Sequence, residues 1–158
     1  MFKFKSDAPE KTAELARRLA GAVQPGTVIC LDGDLGAGKT LFVQNLAASL
    51  GVQGEVTSPT FNLMNVYEEG RLPLVHFDLY RLEQAYELDE IGFYDYAEDP
   101  EGLVLIEWAA KFPECLPEDH IGLEIQRTDV EDERVLVFSL AGSALQDVYK
   151  EMEKLCQF

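Results

Sequence analysis

Residues 33–40 read GDLGAGKT and combine glycines with a lysine and a threonine at a spacing that suits phosphate chemistry. The pattern G-x-x-x-x-G-K-[ST] is matched by Gly33, Gly38, Lys39 and Thr40. Glycines allow successive backbone N–H groups to curl around an anion, and a following helix adds a partial positive charge. A lysine here reaches β- and γ-phosphates, and a threonine hydroxyl ligates Mg²⁺. The stretch therefore predicts a nucleoside triphosphate site with its magnesium ion.

A magnesium site also needs a carboxylate, which is usually carried at the end of a neighbouring apolar strand. Residues 103–107 read LVLIE and place Glu107 after an unbroken apolar run. Residues 74–78 read LVHFD and place Asp78 after a run that His76 interrupts. The unbroken run assigns Glu107 to the metal, directly or through water. Asp78 then either orients or activates water at the γ-phosphate, or caps the next segment as an ordinary strand-end acid.

Five further side chains have both a chemical and a structural interpretation. Thr60 in SPTF fits a γ-phosphate sensor, although the motif alone favours a plain turn. Arg81 fits phosphate stabilisation or, more commonly, a surface ion pair. Trp108 beside an apolar strand favours a core position, and neither His76 nor His120 has metal-ligating neighbours in the sequence.

Composition predicts one domain over 1–158, since 158 residues with 47% hydrophobic side chains suit a single core. The net charge of −16 argues against direct binding of nucleic acid and favours a basic protein partner. The three cysteines are odd in number and widely spaced, which argues against a disulfide framework or a zinc site and suits the cytoplasm. No stretch of the sequence approaches the length of a membrane span.

The elements that must position these residues follow from periodicity and breakers. Asp7 and Glu10 have capping-box spacing and Pro9 suits a first helical turn, so a helix begins here and ends near Gly26. An apolar strand at 27–31, buried on both faces, precedes the glycine-rich turn. Early strand–helix alternation and late hairpins predict an α/β fold with a mixed sheet. Together with the motif at 33–40, this predicts a P-loop nucleoside triphosphate hydrolase fold: a mixed, mostly parallel sheet flanked by helices, with late antiparallel strands. Further strands are predicted at 61–67, 72–80, 103–108, 121–126 and 134–140, further helices at 40–50, 83–92 and 143–155, and an ordered loop at 57–61.

The motifs GDLGAGKT, SPTF, HFDLYRL and LIEW, in this order and in a chain of this size, resemble the bacterial TsaE (YjeE) family. The resemblance covers nearly the whole chain. It implies a small ATPase needed for the threonylcarbamoyladenosine modification of tRNA, beside the anticodon, that acts with the partner proteins TsaB and TsaD. It also explains the acidity, because the tRNA would be held elsewhere in the complex.

The resemblance implies roles for individual residues. ATP and Mg²⁺ would be the cofactors, with Thr40 and Glu107 as metal ligands. Lys39, Asp78 and Thr60 would be the catalytic residues, the last two in switch-like segments. ATP would be bound by Thr12, near the base, and by Gly33, Asp34, Leu35, Gly36, Ala37, Gly38, Lys39, Thr40 and Leu41.

Hydrolysis of ATP by the isolated protein is expected to be slow, because no motif supplies an arginine finger. A small-molecule kinase with the same loop is the alternative, but such enzymes need several clustered arginines. A GTP-dependent switch is disfavoured by the absence of an NKxD motif, and a pure binding module would leave the loop without a purpose. The six arginines are scattered along the sequence, at Arg17, Arg18, Arg71, Arg81, Arg127 and Arg134.

Overall fold

The computed structural model describes residues 1–34, 36–57, 59 and 63–158. This part of the chain forms strands and helices joined by short connections and two 3₁₀ turns, Ala109–Lys111 and Pro113–Cys115. The strands are β1 Phe2–Ser6, β2 Val28–Gly33, β3 Met64–Tyr67, β4 Leu74–Asp78, β5 Leu103–Glu107, β6 His120–Arg127 and β7 Arg134–Ala141. The helices are α1 Pro9–Ala20, α2 Lys39–Ser49, α3 Tyr86–Glu90, α4 Phe93–Ala97 and α5 Gln146–Leu155.

The described strands form one sheet in the order β1-β7-β6-β2-β5-β4-β3. The four central strands β6, β2, β5 and β4 run parallel, and the hairpin partners β7 and β3 run against them. The predicted mixed α/β sheet with late antiparallel strands is therefore confirmed. Because parallel strands end at the same edge, Gly33, Asp78 and Glu107 lie at one end of the sheet.

Each face of the sheet is covered by helices, and β2 shows how the sequence divides between them. Ile29 and Leu31 pack on the side of α1 and α2, whereas Val28 and Cys30 pack on the side of α3 and α4. Since successive strand residues point to opposite faces, the prediction that this strand is buried on both faces is confirmed. None of the described helices is long and apolar enough to cross a bilayer.

The structure differs from the predicted elements mainly near the N-terminus. Phe2–Ser6 forms an edge strand beside β7 that was not predicted, with Phe4 paired to Leu136. The capping box is wrong, because Ala8 is the N-cap residue of α1 and no side chain caps it. Helix α1 ends at Ala20 rather than near Gly26, so that Ala22 and Val23 can enter the core.

Two other helices also have different bounds from those predicted. The helix expected at 83–92 is shorter, Tyr86–Glu90, and a separate helix, α4, begins at Phe93 after Gly92, which adopts φ +74°. The last helix begins at Gln146 instead of residue 143. These differences lie away from the glycine-rich loop and do not alter the edge where the strands β2, β4 and β5 end.

Candidate functional site

The glycine-rich loop joins the end of β2 to the start of α2 and is described except for Leu35. Gly38 is the N-cap residue of α2 and adopts φ +110°, a conformation that side chains with a Cβ rarely take. No side chain of the described residues caps α2. The first N–H groups and the positive dipole end of the helix are therefore suited to an external anion such as a phosphate group.

Gly33 is required at the start of the loop by the close approach of β6. A Cβ on Gly33 would lie 2.7 Å from the backbone oxygen of Ile125, which is too close for any side chain. Replacing this glycine would push β2 away from β6 at the point where the loop leaves the sheet. Asp34 and Gly36 are exposed beyond it, Ala37 is buried, and Leu41 is half-buried on the first turn of α2.

Lys39 is buried, with only 7% of its surface exposed. Its ammonium donates a hydrogen bond to the Gly33 oxygen and lies 3.9 Å from the centre of the Trp108 ring. Burial lowers the pKa of Lys39, and the nearby carboxylates of Glu107 and Asp32 partly offset this effect. A phosphate group bound in the loop would add negative charge beside this desolvated ammonium and stabilise its charged form.

Thr40 and Glu107 lie together at a narrow cleft that His76, Gln44 and Thr57 also line. Glu107 is buried and Thr40 is exposed. The described residues contain no group of three or more His, Cys, Asp or Glu side chains that could hold a metal. A hydroxyl and one carboxylate are nevertheless hard oxygen donors of the kind that Mg²⁺ prefers, since this ion completes its shell with phosphate oxygens and water. The residues present therefore fit a nucleotide-bound Mg²⁺.

Asp78 lies beside Glu107 because β4 and β5 pair with these two residues in register. Its Oδ1 accepts a hydrogen bond from the Tyr80 N–H at 3.0 Å, so Asp78 does cap the segment that follows β4. This local contact does not prevent Asp78 from also orienting or activating a water molecule at the same edge of the sheet. The catalytic role of Asp78 stays a prediction.

Thr12 lies on α1 and lines a small pocket together with Ala37, Gly38 and Leu41 of the glycine-rich loop segment. Its side chain is buried, and its hydroxyl donates a hydrogen bond to Ser6 Oγ at 2.7 Å. The structure thus brings Thr12 next to the loop, as a position near the nucleotide base requires. Its contact with a base stays a prediction.

Two arginines that are far from the loop in sequence contact it directly. Arg127 donates to the Gly36 oxygen at 3.0 Å, and Arg134 Nε donates to the Ala37 oxygen at 2.9 Å. They face each other across the β6–β7 hairpin, where their Cα atoms are register partners. Both arginines flank the loop of a predicted hairpin, and this position is a signal in the sequence that could have connected them with the glycine-rich loop.

Trp108 and Tyr80 form a partly exposed aromatic pair at the same edge, with ring centres 4.8 Å apart. Trp108 adopts φ +59° and contacts Lys39, so its position is not that of a simple core residue. His120 lies at the opposite end of the sheet, where its Nδ1 is 2.8 Å from the Pro117 oxygen. Arg81 is exposed just after β4, and Thr60 lies outside the described residues.

Comparison with known proteins decides the family. The family model described as "Threonylcarbamoyl adenosine biosynthesis protein TsaE" matches residues 6–136. The chain belongs to the TsaE family. The "tRNA threonylcarbamoyladenosine biosynthesis protein TsaE" of Bacillus subtilis is 37% identical over 152 residues, covering 96% of this chain and 94% of that protein. The protein of the same name from Aquifex aeolicus is 38% identical over 135 residues, covering 84% of this chain and 92% of that protein.

A solved structure gives the same result for the fold. The crystal structure of Bacillus subtilis YdiB matches with a TM-score of 0.79 and 34% identity, covering 97% of this chain and 94% of that one. The predicted TsaE resemblance and the predicted P-loop fold are therefore confirmed. The family name connects the chain to the biosynthesis of threonylcarbamoyladenosine in tRNA.

Proposed function

We propose that this protein binds ATP with Mg²⁺ and hydrolyses it slowly, as a cytoplasmic component of tRNA threonylcarbamoyladenosine biosynthesis. One observation carries the ATP part of this proposal. The buried Lys39 ammonium stands at an uncapped helix start, behind a glycine in a left-handed conformation. This combination concentrates positive charge and N–H donors where a polyphosphate can bind.

Thr40 and Glu107 are the proposed ligands of Mg²⁺, because they are the hydroxyl and the carboxylate that share one cleft. When bound, Mg²⁺ supplies charge neutralisation on the β- and γ-phosphates. The protein would then hold these two oxygen donors at a fixed position on regular secondary structure. Glu107 ends a fully buried strand and Thr40 belongs to the first turn of α2.

The proposed reaction is in-line attack of water on the γ-phosphate, with free phosphate and ADP as products. Asp78 is proposed to orient the water, since it ends the strand beside Glu107. Lys39 and the loop N–H groups stabilise the negative charge that develops on the phosphate oxygens. Arg127 and Arg134 hold the opposite, carbonyl side of the loop and so help to keep its N–H groups in place.

Slow hydrolysis by the isolated protein is supported by the contacts of the two arginines that lie against the loop. Both guanidinium groups donate to carbonyl oxygens of the loop, and neither of these contacts directs an arginine toward the γ-phosphate. An absent arginine finger lowers the rate by about 10³–10⁵-fold. We propose that TsaB and TsaD raise the rate, either by supplying a charged group or by ordering the segments around Asp78. The net charge of −16 supports a protein partner, with tRNA held elsewhere in the complex.

The test is phosphate release from ATP by the purified protein, with and without purified TsaB and TsaD. The expected result is a low rate alone and a clear increase with both partners. Asp78→Ala should keep nucleotide binding and lose hydrolysis, and Glu107→Ala should lose magnesium dependence. Glu151→Ala, an exposed acid on α5, is the matched control that should keep the native rate.

Two results would contradict the proposal. Fast turnover by the protein alone would remove the need for partners. A phosphorylated small molecule in place of free phosphate would show the alternative activity, a small-molecule kinase that uses the same loop.

A further inference from the structure

His76 and Glu107 form a buried polar pair on neighbouring strands. His76 Nε2 lies 2.5 Å from Glu107 Oε2, and the two residues are only 1% and 3% exposed. His76 lies two residues before Asp78 on β4, and therefore points to the same face of the sheet as Asp78. The pair was not predicted, because its two members belong to different apolar runs and meet only through the pairing of β4 with β5.

The chemistry of this contact assigns the imidazole proton. A carboxylate accepts hydrogen bonds and does not donate them, so Nε2 carries a hydrogen; the other ring nitrogen is an acceptor in the neutral imidazole and a donor in the imidazolium. That nitrogen, Nδ1, is buried and has no hydrogen-bond partner among the described residues. Among the described residues, the polar partner of this ring is thus Glu107, and a buried ring nitrogen left without a partner costs about 1–3 kcal/mol.

Both members of the pair line the cleft that contains Thr40. Ligating carboxylates are commonly held in orientation by a second group that does not itself touch the metal. With Oε2 bound to the imidazole, a cation would be bound by the other carboxylate oxygen of Glu107. We infer that His76 is a positioning residue, which fixes the Glu107 carboxylate for Mg²⁺. This inference rests on the proposed function, in which Glu107 is a metal ligand.

If the pair served to stabilise the fold, replacing both of its members would make the protein less stable. A buried polar pair that does not stabilise the fold can be replaced by apolar residues of similar size at little or no cost, provided that both are replaced. The double variant His76→Leu/Glu107→Leu should therefore unfold no more readily than the native protein. His76→Leu alone should be less stable, because it leaves the Glu107 carboxylate buried without its donor.

The decisive experiment measures magnesium dependence rather than turnover. A fluorescent ATP analogue is titrated into each variant at a series of Mg²⁺ concentrations and also in EDTA. In His76→Leu, the Mg²⁺ concentration for half-maximal binding should rise about 10–100-fold, while binding in EDTA stays native. His76→Gln keeps an N–H donor near the Nε2 position and should restore most of the native Mg²⁺ dependence.

His120→Leu is the matched control, because His120 is the chain's other histidine and lies at the far end of the sheet. It should leave the Mg²⁺ dependence unchanged. A native Mg²⁺ requirement in His76→Leu, or an equal change in the Leu and Gln variants, would overturn the positioning role. Absence of Mg²⁺-dependent binding in the native protein would refute the proposed function itself, which is a distinguishable result.

Discussion

Replacing Gly38 with alanine should weaken both nucleotide binding and the fold, whereas the same backbone strain outside the loop should weaken the fold alone. Gly38 adopts φ +110°, and a Cβ built there meets no described heavy atom within 4 Å apart from its chain neighbours. Alanine therefore fits the space and is opposed only by backbone strain. Strain of this kind costs about 1–3 kcal/mol when the native conformation is kept. We expect the strain to rotate the loop slightly without being fully relieved, which moves the N–H groups at the start of α2.

The expected loss of binding follows from those N–H groups. A hydrogen bond to a charged group contributes about 1.5–3 kcal/mol, so misdirecting one of them weakens nucleotide binding about 10–150-fold. Gly54→Ala is the matched control, because Gly54 has φ +86°, equally open surroundings and no place in the loop. It should lower the free energy of unfolding by a similar amount, about 1–3 kcal/mol, and leave nucleotide affinity unchanged.

The assay pairs urea unfolding with calorimetric titration of ATP and Mg²⁺ for both variants and the native protein. Equal losses of stability with a selective loss of affinity in Gly38→Ala are the expected result. Native affinity in a folded Gly38→Ala variant would refute the reasoning, because the backbone conformation at Gly38 would then have no role in binding. An equal loss of affinity in Gly54→Ala would also refute it, since general strain would then explain both.

Three further predictions concern side chains around the loop. Burial raises the pKa of Asp32 above 3.8, so the native fold loses stability as the pH rises from 3.8 through the raised value. Asp32→Asn should therefore raise the free energy of unfolding at neutral pH, and urea titrations should show this gain disappear in acid. Arg127→Ala should weaken ATP binding about tenfold, because it releases a carbonyl oxygen of the loop. The surface variant Arg17→Ala should keep the native affinity for ATP. Native affinity in Arg127→Ala would contradict the role of Arg127. The emission of Trp108, the chain's single tryptophan, should change when ATP binds, because the Lys39 ammonium lies 3.9 Å from its ring, and the response should be lost in Lys39→Ala.

The sequence predicts those parts of the site that a short stretch determines by itself. The segment 33–40 contains its own glycines, lysine, threonine and helix start, so its conformation needs little information from elsewhere in the chain. Glu107 and Asp78 were also found, because each ends an apolar run, and parallel strands bring such ends to one edge of the sheet. The role of each of these residues in the reaction stays a prediction.

The contacts that were missed depend on how distant strands pair. The His76–Glu107 pair requires the register of β4 against β5, and the contacts of Arg127 and Arg134 with the loop require the β6–β7 hairpin to lie beside β2. Neither register can be read from a single segment. The strand β1 is a different case, since the alternation of Phe and Lys in residues 2–5 is a period-two signal that indicates a strand.

The measurement that tests the central proposal most directly is a crystal structure with a non-hydrolysable ATP analogue and Mg²⁺. The predicted result is a polyphosphate enclosed by the loop N–H groups, with Lys39 at the β- and γ-phosphates and Mg²⁺ held by Thr40 and Glu107. An analogue bound elsewhere, or a loop whose N–H groups point away from the phosphates, would contradict the proposal.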